Sequence, residues 1–130
     1  MVSQLNAGRP AREQGYEMVQ YVAGSITADT GGATVNVKIG SIPSGAVITQ
    51  IINRVSTAIT GGTPVLAVGT SSGGTQIQGT LAETAGSEQV FPLSSLTLPL
   101  TADTDVWLGI SGSATAGTAY VTVFFVKPIA

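Results

Sequence analysis

Short runs of β-forming residues, each closed by a cluster of Gly, Pro, Ser or Thr, recur along this chain, and that rhythm most limits what it can fold into. Residues 33–39 show it most cleanly. Val35, Val37 and Ile39 fall on one face and Thr34, Asn36 and Lys38 on the other, the period-2 pattern of a half-buried strand. Asp29-Thr30-Gly31-Gly32 before it and Pro43-Ser44-Gly45 after it read as turns, since Pro presets one central dihedral and Gly tolerates the next. Further runs at 18–26, 64–68, 76–81, 96–100, 106–110 and 119–126 bring the count to about eight strands, spaced roughly 8–14 residues apart. Within them Leu96, Leu98 and Leu100 alternate, with Pro92 before them and Pro99 among them, which places that strand at a sheet edge.

Residues 46–59 carry a second periodicity. Val47, Ile48, Ile51, Ile52, Val55 and Ile59 match the spacing of an amphipathic helix. Yet the segment is dominated by Ile, Val and Thr, whose branched β-carbons lose rotamer freedom in helices and pack well on pleated sheets. A long strand bent by a bulge is the expectation. Residues 82–89, with Glu83 and Glu88, read as an exposed, solvated loop.

No helical segments separate the strands as a βαβ fold requires, and the short connections imply antiparallel pairing. At 130 residues, without an exact internal repeat, the chain fits one domain. The expected fold is all-β: an antiparallel β-sandwich, of the jelly-roll type with about eight strands, over residues 17–130. Residues 1–16 differ from the rest. They hold Arg9, Arg12 and Glu13, are interrupted by Pro10, and sustain no period, so they read as an extended N-terminal arm. Such an arm is either a frayed end or a segment that orders on a partner.

The search for chemistry returns little. With no Cys there is no disulfide, thiolate nucleophile or Cys-type metal site, and with no His the usual general base and metal ligand are missing. Ser and Thr are plentiful, but a hydroxyl nucleophile needs a base beside it. Lys38 reads as a solvent-facing strand residue and Lys127 as a chain-end charge. Asp103 and Asp105 sit at a turn, where Asp side chains bond nearby backbone, and two carboxylates alone fall short of what calcium wants. Gly61-Gly62 and Gly73-Gly74 lack the Lys-Ser/Thr of a phosphate-binding loop and read as tight turns. No catalytic residue, cofactor site or metal site is expected, and an enzyme is disfavoured.

Charge narrows the partners. Asp, Glu, Lys and Arg make up 9% of the chain, against about 25% in an average soluble domain. The five basic residues are scattered and the net charge is −2, which argues against nucleic acid. No apolar run approaches the roughly 18 residues of a membrane span, and the first residues lack the apolar stretch of a secretory signal. A surface so poor in charge is weakly defended against association.

Two strands point to where association would occur. Along 119–126 one face carries Ala119, Val121, Val123 and Phe125, the other Tyr120, Thr122, Phe124 and Val126. The outer face of a lone sandwich should be polar, so something should cover this one: a subunit, a loop or the arm. Trp107 likewise points away from the aliphatic face of Val106, Leu108 and Ile110, and aromatic side chains are favoured interface anchors. Trp107, Tyr120, Phe124 and Val126, with Arg9 and Arg12 of the arm, are the candidate interface residues.

The run Ile42-Pro43-Ser44-Gly45-Ala46-Val47-Ile48-Thr49 and the glycine-punctuated Val65–Gly69 segment resemble bacteriophage virion proteins of the small β-sandwich kind. In style the chain is similar to capsid decoration, or cement, proteins with jelly-roll folds. The resemblance implies a dimeric or trimeric subunit on the outer capsid surface of a virion, made in the host cytoplasm. It would bridge and stiffen the major capsid protein, with residues 1–16 laid across the lattice. Two other readings stand beside it. One is a receptor- or glycan-binding module of a tail fibre or adhesin, using Trp107, Tyr120 and loop 70–76. The other is a surface subunit that polymerises by strand exchange.

Overall fold

In the computed structural model, which describes residues 18–127, eight strands form, seven of them where the β-prone runs lie. They are β1 (Gln20–Thr27), β2 (Val35–Ile42), β3 (Val47–Thr60), β4 (Val65–Gly69), β5 (Gln78–Leu81), β6 (Gly86–Val90), β7 (Thr104–Ser111) and β8 (Ala116–Val126). The arm, with Arg9 and Arg12, lies outside the described residues. Two four-stranded sheets result, ordered β1-β8-β3-β6 and β2-β7-β4-β5, with every pair antiparallel.

The pairing has a simple rule. β1 pairs with β8, β2 with β7, β3 with β6 and β4 with β5, as if one long hairpin had been wound around a barrel. The β3–β8 and β4–β7 ladders close that wound hairpin into two sheets. This is the jelly roll, the expected fold.

The core lies between the sheets. Ile26, Ile48, Ile51, Val121 and Val123 face inward from one, and Ile42, Leu66, Val68, Leu81, Val106, Leu108 and Ile110 from the other. Each fully buried aliphatic side chain of this kind contributes about 1.5–3 kcal/mol.

Bulges explain where period 2 is interrupted. In β3, Ile48 pairs with Phe125 and Gln50 with Phe124, so Thr49 is an extra residue. Ile48 and Ile51 therefore both face the core, three positions apart. The helix-like spacing is a bulged strand, because one unpaired residue shifts the pleat by one step. The same device works in β2. Val35 and Val37 pair with the core residues Ile110 and Leu108, and Ile42, at the opposite parity, is fully buried. The register shift between Lys38 and Gly40 absorbs the difference and leaves Ile39 bulged.

Two expectations fail. Residues 96–100 form no strand. This segment links β6 to β7, and its backbone hydrogen bonds make no ladder: Leu100 N–H donates to Ala46 O (2.9 Å), Leu100 O accepts from Gly45 N–H (2.7 Å), and Leu93 N–H donates to Ile77 O (2.9 Å). Leu100 is buried, and Leu96 and Leu98 pack against the core without pairing. Pro92 and Pro99, lacking N–H groups, suit such a crossing and not a ladder. Conversely, Gly86–Val90, which begins inside the expected loop 82–89, is β6 and pairs with β3 from Ile51↔Val90 to Val55↔Gly86.

Candidate interaction surface

The outer face of the β1-β8-β3-β6 sheet is built in rows by its register. One row carries Tyr21, Phe124 and Gln50; the next carries Ala23, Thr122, Ile52 and Gln89; a third carries Ser25, Tyr120, Arg54 and Ser87. Val126 and Val47 form another pair at one end. Tyr21 is 65% exposed and Tyr120 47%, while Phe124 and Val126 are half-buried. The Tyr21 and Phe124 rings lie 6.1 Å apart at 52°, a tilted aromatic pair. Arg54 is the sole charged residue among the described strand positions of this face. Aromatic side chains and hydroxyls face outward here from strands whose other side is core.

This arises locally from β8. Ala119, Val121, Val123 and Phe125 are at most 4% exposed, so the alternation forces Tyr120, Phe124 and Val126 outward. Three candidate interface residues therefore share one surface. Trp107 does not join them. It is half-buried on the outer face of the other sheet, paired with Lys38 on one side and Gly69 on the other. Trp107 and loop 70–76 thus belong to one side of the sandwich and Tyr120 to the opposite side.

The second sheet's outer face is partly covered. The β4–β5 loop folds over it, held by Gly73 N–H donating to Asn36 Oδ1 (3.0 Å), and Ala67 beneath is only 6% exposed. Gly69 is needed here, because a β-carbon would overlap the Gly74 backbone. Lys38 Nζ and Asp105 Oδ1 form an ion pair at 3.2 Å beside Trp107, and Ser41 Oγ donates to the same oxygen at 2.7 Å. The Ser41 and Lys38 hydrogen bonds hold the Asp105 carboxyl below the ordinary aspartate value. Asp103 is spent elsewhere, its Oδ1 accepting from Ser44 N–H (2.9 Å) across the sandwich end, not from its own turn. The two aspartates serve different partners. Among the described residues no cluster of three or more Asp, Glu, His or Cys side chains is assembled.

Asn53 and Glu88 form a site that sequence reasoning missed. Glu88, expected to be solvated, is half-buried on β6. Its Oε1 accepts from Ala82 N–H (2.5 Å) and Asn53 Nδ2 (3.1 Å), and Nδ2 also donates to Ala82 O (3.0 Å). Asn53 is fully buried, and its Oδ1 has no hydrogen-bond partner. The signal was present: Asn53 occupies an inward position between Ile51 and Val55. This group locks edge strand β6 onto β3. A cleft of about 390 Å³ near the β4–β5 loop is lined by Thr70, Gln76, Ser95, Thr97, Thr101 and Thr104 among others, with no titratable side chain. It offers hydroxyls without a base.

No protein-family model matches the chain, and no curated protein matches it. Solved structures share its fold. A chain of the Cyanophage Pam1 capsid asymmetric unit superposes with a TM-score of 0.62, covering 85% of this chain and 86% of that one at 21% identity. A chain of the capsid of Ralstonia phage GP4 gives a TM-score of 0.58 over 86% of each chain, also at 21% identity. At that identity the likeness is one of fold.

Proposed function

We propose that this chain is a non-enzymatic structural protein of a bacteriophage virion, a decoration or cement protein that bridges major capsid proteins on the outer shell. The observation that carries the reading is the nearly uncharged outer face on which Tyr21 and Tyr120 are exposed beside the half-buried Phe124 and Val126. The shared fold with chains of two phage capsids supports it. The mechanism is clamping by burial. Tyr rings place large apolar area at low entropic cost while their hydroxyls stay hydrogen-bonded at the rim. Shell proteins joined by such a face separate less readily under internal pressure.

Co-sedimentation with shells assembled from the capsid protein of the same phage tests this reading. Saturable binding is the expected result. A chain that stays in the supernatant over intact shells overturns it.

A further inference from the structure

We propose that Asn53 of β3 and Glu88 of β6 hold a hard, oxygen-seeking cation, calcium, in the small cavity beside the β5–β6 loop. This site stands apart from the aromatic face and does not depend on shell binding. The cavity measures about 70 Å³ and is lined by Asn53, Ala82, Glu88 and residues 84–87. Holding one water takes only about 10–15 Å³, so an ion fits here with some of its waters.

The ladder sets the two side chains opposite each other, Asn53↔Glu88, on the inward face of the sheet edge. The Asn53 amide spends its donors on the protein: Nδ2 donates to Ala82 O (3.0 Å) and to Glu88 Oε1 (3.1 Å). Its carbonyl is left over. Asn53 is fully buried, and its Oδ1 meets no hydrogen-bond donor. Buried acceptors are ordinarily satisfied, so this oxygen calls for an occupant of the cavity. Glu88 adds the charge. Ala82 N–H and Asn53 Nδ2 both donate to its Oε1, which leaves the carboxylate a second oxygen to offer. Thr84 and Ser87 bring hydroxyls to the same lining, and the chain there brings backbone carbonyls.

A water would satisfy Oδ1 alone. A cation satisfies Oδ1 and draws on the half-buried carboxylate beside it, because both turn negative ends toward one small space. The donors are all oxygen, which selects a hard ion. Calcium takes roughly 6–8 oxygens in irregular geometry and completes its shell with waters, whereas magnesium demands a near-ideal octahedron. One carboxylate among neutral oxygens makes for weak binding, with a dissociation constant on the order of 10⁻⁴–10⁻³ M. Bound there, the ion ties β6, β3 and the end of β5 together.

Calorimetric titration of the full chain with CaCl2, against NaCl at matched ionic strength, tests the site. The wild-type chain is expected to show one saturable calcium site. Glu88→Gln keeps the side-chain shape and an oxygen for Ala82 N–H, and should weaken binding at least tenfold. Proton–nitrogen NMR spectra of the wild type locate the ion: the Asn53 side-chain amide and the Ala82 N–H should shift as calcium is added. These spectra decide alone if Glu88→Gln does not fold. No saturable binding by the wild type, equal binding by folded Glu88→Gln, or shifts centred on Asp103 and Asp105 instead overturns the proposal.

Discussion

Ile39 of β2 seats its Cγ2 methyl directly over Gly24 of β1, in the space that a β-carbon on Gly24 would occupy. Ile39 is the bulged residue, so the step that corrects the β2 register also closes the two sheets at this corner. Gly24→Ala should therefore destabilise the fold by about 1–3 kcal/mol through overpacking. Ile39→Ala in the same chain removes the opposing methyl. The loss in the double variant, read by urea unfolding, should fall short of the sum of the single losses.

Asn53 couples β3, β6 and the Ala82 backbone through two hydrogen bonds from one amide. Asn53→Ala should cost about 1–3 kcal/mol, since Ala82 O and Glu88 lose a donor in a buried setting. Hydrogen exchange at the Ala82 amide, which donates to Glu88 Oε1, should accelerate in this variant more than exchange in β7.

The depressed Asp105 carboxyl gives a pH dependence with a definite sign. Because its folded value lies below the unfolded one, its contribution is present above roughly pH 4 and is lost as pH falls through the folded value. The difference in thermal stability between wild type and Asp105→Asn should be present at neutral pH and shrink in acid. A difference that grows on acidification would contradict the assignment.

The two outer faces should behave differently toward a shell. Tyr120→Ser and Phe124→Thr should each weaken co-sedimentation roughly tenfold, as central aromatic anchors do. Trp107→Ala, on the opposite face, should leave it unchanged. With Arg54 the lone described strand charge on the proposed binding face, raising NaCl tenfold from physiological strength should change affinity by less than about threefold.

Much of the architecture was legible because inward residues alternate with outward ones wherever a strand is half-buried. Val35 and Val37, the faces of β8, and the placement of Trp107 opposite Val106, Leu108 and Ile110 all follow from that period. The absence of His and Cys and the low charge were equally readable from composition. The errors have a common cause: a one-dimensional pattern does not record pairing. Leu96, Leu98 and Leu100 alternate but meet no ladder, while Gly86–Val90 has little pattern and is held as a strand by the Asn53–Glu88 bond and its ladder with β3. Tertiary structure alone decided that strands pair as a wound hairpin, that Tyr120 and Trp107 face opposite ways, and that β1 lies at the border of its sheet. Those relations join residues far apart in the chain, and they are set by which faces must share a core, a requirement that local sequence expresses only one strand at a time.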